Sequence, residues 1–241
     1  MKKAADFLKF CWESLLDIIF PGPASCVSCG KLLKKYSQIM LCTRCQEELD
    51  CIPGAFMGAE EFLSTEVHKE YIPAGFDYIG APYRYEGSAR AIVKGLKYKG
   101  RTYAARTMAY LMARELKKRE SKFDIIVPVP VHPEKEKQRG YNQAELITRE
   151  LSGLLNIPYK MLLEKHKNTP SQVTLDERGR WENVRDAFML TGNPEGLSVL
   201  LVDDVITTGA TMHFCARLLK DGGASYVASI AFAIALQKNK M

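Results

Sequence analysis

From about Phe76 onward the apolar positions alternate between two periods. Helical spacing marks 88–98 and 102–118, where Ala104, Met108, Leu111 and Met112 share a face. It returns over Ala144–Leu155 (Ile147, Leu151, Leu154) and Ala210–Asp221 (Met212, Cys215, Ala216, Leu219), with a short helix predicted at 176–185. Between these lie short, almost wholly apolar runs: Ile125 to Val129 after Asp124, Val199–Val202, and Tyr226–Ala235. Such runs are typical of strands buried on both faces of a parallel sheet. Asp77–Tyr85 reads as an extended segment ending at Glu86-Gly87, and the stretch after Pro130 as a polar loop. The alternation predicts one α/β domain over 77–241, a parallel sheet flanked by helices. Ligands of such sheets bind beyond the strand C-termini.

Upstream the pattern changes. Phe7, Phe10, Cys11, Leu15 and Ile18 predict a small amphipathic helix within 5–19, stopped by Pro21-Gly22-Pro23. The expected division is an amphipathic segment over 1–22, a cysteine module over 23–51, and a linker with a turn of helix over 52–76. Pro53, Gly54, Gly58 and Pro73 break that linker. Asp6, Lys9, Glu13 and Asp17 interrupt any signal-peptide core, and no run approaches the ~20 apolar residues of a membrane span. A soluble, cytoplasmic protein without stable membrane insertion is expected, its leading helix packed on itself or a partner. Composition agrees: 46% hydrophobic over 241 residues excludes a mostly disordered chain.

Charge is uneven although the net value is only +6. Tyr83 to Lys122 carries twelve lysines and arginines against three acids, with Tyr85, Tyr98 and Tyr103 among them. Lys94, Lys97, Lys99 and Arg101 are the candidate contacts to a polyanion, whether pyrophosphate or single-stranded nucleic acid. A solvated helix face is the plainer alternative.

Seven cysteines and no secretory leader argue against a disulfide framework. Cys26-x-x-Cys29 and Cys42-x-x-Cys45 lie twelve residues apart and can close a structural four-thiolate Zn2+ site. Gly30 suits the left-handed backbone that follows such a pair; Gln46 stands in the corresponding place of the second. A redox dithiol would not need two pairs.

One stretch carries the chemistry: Val199-Leu-Leu-Val-Asp203-Asp204-Val-Ile206-Thr207-Thr208-Gly209-Ala210-Thr211. An apolar strand delivers two carboxylates, and a Thr/Gly loop leads into a helix whose first amides and hydroxyls form a phosphate cradle. Two acids beside a phosphate cradle must face something other than phosphate, and vicinal ribose hydroxyls fit. A P-loop ATPase is excluded because no Gly-x-x-x-x-Gly-Lys-Ser/Thr exists, and Rossmann and α/β-hydrolase signatures are absent too.

These thirteen residues resemble the phosphoribosyl pyrophosphate (PRPP) motif of type I phosphoribosyltransferases. Val127-Pro-Val-Pro-Val-His132, Arg139-Gly-Tyr-Asn-Gln143, Lys165-His-Lys-Asn-Thr169-Pro-Ser-Gln172 and Asn183-Val-Arg185-Asp-Ala-Phe188 are similar to the ComF family of competence proteins. So are the leading helix and paired cysteines; Tyr141 stands where that family has Phe. The resemblance implies that Asp203 and Asp204 contact the ribose and that Ile206, Thr207, Thr208, Gly209, Ala210 and Thr211 hold the 5′-phosphate. Arg139, Lys137 and Lys135 would face the pyrophosphate, Arg139 foremost because a guanidinium grips phosphate in bidentate fashion. Mg2+ would accompany the diphosphate. A role in DNA uptake is implied beside a DNA translocase (ComFA) and recombination mediators, with binding of single-stranded DNA. The alternative is active transfer, in which a nitrogen nucleophile displaces pyrophosphate from C1 of the sugar.

Overall fold

The structure is a computed structural model and describes residues 24–34, 37–52, 56–58, 75–118, 122–168, 184 and 186–235. The predicted helix at 5–19 lies outside the described residues, and of the one at 176–185 only Val184 is described, as helical.

The central sheet runs β1 (Phe56–Gly58), β2 (Tyr78–Gly80), β8 (Tyr226–Ile234), β7 (Ser198–Ile206), β4 (Ile125–Pro128), with β3 (Tyr83–Arg84) also pairing β8. All pairings are parallel except β1 with β2. The expected parallel sheet is therefore present. The extended reading of Asp77–Tyr85 becomes two strands, both registered on β8. The stretch read as a linker holds β1, which extends the sheet by one antiparallel strand.

Pleating of β7 sorts the core into two layers, since successive side chains face opposite ways. Leu200 and Val202 pack with α2 (Gly87–Tyr98), α3 (Ala104–Leu116) and α5 (Gln143–Leu155). Val199 and Leu201 pack with α6 (Ala210–Asp221) and with the antiparallel hairpin of β5 (Leu163–Lys165) and β6 (Phe188–Leu190). The polar loop expected after Pro130 is instead a short helix, α4 (Pro133–Arg139). His132 caps it, its Nδ1 accepting from Glu134 N at 3.2 Å, and Gly140 ends it at φ 86.

The cysteine module, which carries the short helix α1 (Thr43–Glu47), is not a separate body. Cys26, Val27, Leu41, Cys45 and Leu49 are buried in the same cluster as Ile92, Leu96 and Met108. Arg101 donates through Nη1 to the carbonyls of Val27 and Ser28, and Thr107 Oγ1 accepts from Met40 N at 3.1 Å.

Candidate functional site

Asp203 and Asp204 sit on the last turns of the pleat in β7, where Asp203 is in register with Ala231 of β8. Asp204 is buried and Asp203 partly exposed. Asp203 Oδ1 accepts from Asp204 N at 2.7 Å. Burial, then the neighbouring Asp204 charge, push the Asp203 carboxyl up to about 7, with Lys97 pulling the other way. Lys97 Nζ lies 2.8 Å from Asp204 Oδ1.

The loop beyond β7 turns at Gly209, whose φ of 78 needs a residue without Cβ penalty. Gly209 is the N-cap of α6 and offers no side chain to the first-turn amides. Thr208 Oγ1 accepts from Ala210 N at 3.4 Å. Adjacent β4 ends at Pro128, in register with Val202, so its following loop runs beside the acid pair. Buried Asn142 pins that loop: Nδ2 donates to the Val129 carbonyl at 3.0 Å while Oδ1 caps α5 through Ala144 N.

These loops enclose a cleft of about 330 Å³ at the C-terminal ends of the strands, at the small end of ligand pockets. Asp203, Asp204, Ile206, Thr207, Gly209 and Thr211 line it; Thr208 and Ala210 lie buried behind that wall. Lys135 and Arg139 line the opposite side. They are four apart on α4 and share a face, whereas Lys137, two residues on, is exposed and does not line the cleft. Arg139 donates to Gln143 Oε1 at 2.6 Å and stands 5.6 Å above the Tyr98 ring. A larger groove, about 1000 Å³, opens beside the cysteines but holds none of the motif residues.

Lys165 had no assigned role in the sequence, yet it lines the cleft 5.1 Å from the Phe188 ring. Burial, then the charge of Lys135, lower its pKa; burial, then Arg139, lower that of Lys135. Three crowded cations on one wall would be relieved by an incoming anion. Tyr85 and Tyr98 also face the cleft.

The four nucleic-acid candidates do not share one surface. Lys94 and Lys99 are exposed, Lys97 turns into the cleft, and Arg101 is engaged with the cysteine module.

Cys26, Cys29, Cys42 and Cys45 bring their sulfurs within 4.8 Å of one another, and Cys29 and Cys42 are 3.8 Å apart. A tetrahedron with ~2.3 Å metal–sulfur arms has edges of about 3.8 Å. Gly30, at φ 81, closes the first turn by donating to the Cys26 carbonyl at 2.8 Å. Burial raises the Cys26 thiol, but amides of Cys29, Cys42 and Ser28 outweigh it and bring it to about 7. Burial pushes Cys45 up to about 12, so four thiolates require a cation among them. The donor set and spacing fit a tetrahedral metal ion.

A family model described as "Phosphoribosyl transferase domain" matches residues 102–241. The chain belongs to that family. Among its relatives is Competence protein F of Haemophilus influenzae, 33% identical over 145 residues, covering 56% of this chain and 63% of that one. Competence protein ComFC of Bacillus subtilis is 37% identical over 106 residues, 44% of this chain and 42% of that one. DNA utilization protein YhgH of Salmonella typhi is 32% identical over 142 residues, 56% and 63% of the two lengths. Each match spans less than two thirds of the relative. Tyr85, Lys97 and Tyr98 reach the cleft from outside the matched segment.

Proposed function

We propose that the cleft binds PRPP with Mg2+ and that the protein is a cytoplasmic competence accessory factor acting in DNA uptake. The observation that carries the first half is convergence: the acid pair, the Gly209 loop and the cations Lys135 and Arg139 all line one small cleft at the strand C-termini. Asp203 and Asp204 then meet the ribose hydroxyls, the amides and hydroxyls of 206–211 the 5′-phosphate, and Arg139 with Lys135 the pyrophosphate. Mg2+ bound to the diphosphate would add to the charge neutralisation that Arg139 and Lys135 supply. Zn2+ is the ion proposed for the four cysteines, in a structural role because they leave no coordination position open.

The setting comes from relatives named for competence and DNA utilization. Exposed Lys94, Lys99, Tyr98 and Tyr103 supply charge and rings for single-stranded DNA. A DNA translocase of the ComFA kind and recombination mediators are the partners such a role would need. Active phosphoribosyl transfer is a second reading, favoured by Tyr85, Tyr98 and Phe188 beside the cradle, flat walls on which a nucleobase acceptor can lie.

Calorimetry tests the site. PRPP with Mg2+ should bind the intact protein and not the Asp203→Ala/Asp204→Ala variant, whose circular dichroism should match wild type. Equal affinity in both would remove the site. Following PRPP consumption across nucleobases, beside a DNA titration, separates the two readings.

A further inference from the structure

The two aspartates are neighbours in sequence but not in environment. Alternation along β7 puts Asp204 on the side of Leu200 and Val202, facing the layer of α2, α3 and α5. Asp203 follows Val199 and Leu201 toward α6 and its phosphate-cradle loop. On the first side Asp204, its side chain only 4% exposed, meets Lys97, 24% exposed, at 2.8 Å. Lys97 sits in the last turn of α2, ahead of the segment that defines the phosphoribosyl transferase family.

We propose that Lys97 is a positioning residue for the acid pair: by an ion pair from α2 it fixes the Asp204 carboxylate beside Asp203 at the ligand, and it cancels one negative charge in a cleft for a polyanion. This deepens the PRPP reading and rests on it. Two unpaired carboxylates so close would repel the phosphates and each other. Lys97 is placed to prevent both. Burial works against its own charge, yet Asp204 and then Asp203 outweigh burial and raise its pKa. The other groups facing the pair are Tyr85 near Asp204, Lys165 of β5 and Cys215 of α6 near Asp203, and Lys135, Arg139 and His132 across the cleft. Among these the distance of 2.8 Å singles out Lys97 as the ion-pair partner of Asp204.

A lysine that acts through Asp204 is separable from one that touches the ligand. In the wild-type background Lys97→Met should weaken PRPP binding about tenfold, the scale of a partly exposed ion pair broken on one side. In the Asp204→Asn background, with the ion-pair partner of Lys97 removed, the same substitution should cost less than about threefold. Equal losses in both backgrounds would overturn the inference. A second measurement needs no ligand: carbon-13 NMR of the aspartate carboxyls across pH in the free protein. Lys97→Met should move the Asp203 titration upward, because the Lys97 charge holds that carboxyl down, and Lys97→Arg should restore it; an unmoved midpoint would also overturn the inference. Should wild type fail to bind PRPP, the function reading falls while the carboxyl titration still decides the role of Lys97. Lys97→Gln replaces Lys97→Met if the latter does not fold.

Discussion

Arg101 donates from Nη1 to the Val27 carbonyl at 3.1 Å, gripping the backbone inside the first cysteine pair from the turn between α2 and α3. The same guanidinium reaches the Ser28 carbonyl at 3.4 Å. Gly95 makes room for it, since a Cβ there would come within 3.2 Å of Arg101 Cδ. The cysteine module and the α/β domain therefore share one core.

Stripping the metal should consequently destabilise the whole protein. Chelator treatment is expected to lower the midpoint of one cooperative transition in scanning calorimetry. Two separate transitions would show the module to be independent. Arg101→Ala should remove about 1–3 kcal/mol through two unsatisfied carbonyls, read as a lower Tm in the metal-loaded protein.

Single-strand binding should respond unequally to lysines that look alike in sequence. Lys94→Ala with Lys99→Ala should reduce the slope of log K against log salt by about 1.4, for two phosphate contacts. Tyr98, 68% exposed, offers a stacking face; Tyr98→Ala should cost about 1–3 kcal/mol. Fluorescence anisotropy over a salt series checks both, and an unchanged slope would place DNA elsewhere.

Asp203 should make the site a stability liability. Burial and the Asp204 charge raise its carboxyl to about 7, above its value in an unfolded chain, so the native state binds this proton more tightly. Its contribution to stability is therefore present at low pH and lost as pH rises through about 7. Asp203→Asn should melt higher than wild type at pH 8, by about 2–4 °C for each kcal/mol, and the two proteins should converge near pH 4. A gap that stays constant across that range would contradict the assignment.

Gly209 tests the cradle. Gly209→Ala places a Cβ on a backbone at φ 78, costing about 1–2 kcal/mol of stability, and sets a methyl where the phosphate must approach. PRPP affinity should fall by more than the melting temperature alone would explain; an unaffected affinity would take the phosphate away from this loop.

Much of the fold was legible because burial writes itself into apolar runs. The strands at 125–128 and 226–234 coincide with those runs, the one predicted over Val199–Val202 continues through the acid pair to Ile206, and the helices at 87–98, 104–116, 143–155 and 210–221 start or stop within two residues of the periodicity. Helix α4 was missed because it buries no residue and so has no apolar period. Its signals were capping signals: Pro133 at the first turn, Glu134 and Glu136 early, Lys137 and Arg139 late, Gly140 after. Strands β1, β5 and β6 are three residues each, too short for any pattern.

The acid pair and its loop were readable as a motif, but the rest of the cleft was not. Lys94 and Lys97 differ only in helical phase and Lys99 caps the end of the helix, and it takes the packing of α2 on the sheet to turn Lys97 toward Asp204. Tyr98 meets Arg139 across 41 positions of chain, a contact with no local signature. Lys165 enters the cleft only because β5 and β6 pair antiparallel beside α6.

Strand β8 is buried along its length and is flanked on one side by β7, on the other by β2 and β3. Trimming the polypeptide to the stretch that typifies phosphoribosyl transferases would delete β2 and β3 and leave nine residues of near-continuous apolar backbone as a naked sheet margin. Such a margin recruits other chains. Expression of that fragment should yield aggregates, because β2 and β3 belong to the same folding unit as β8.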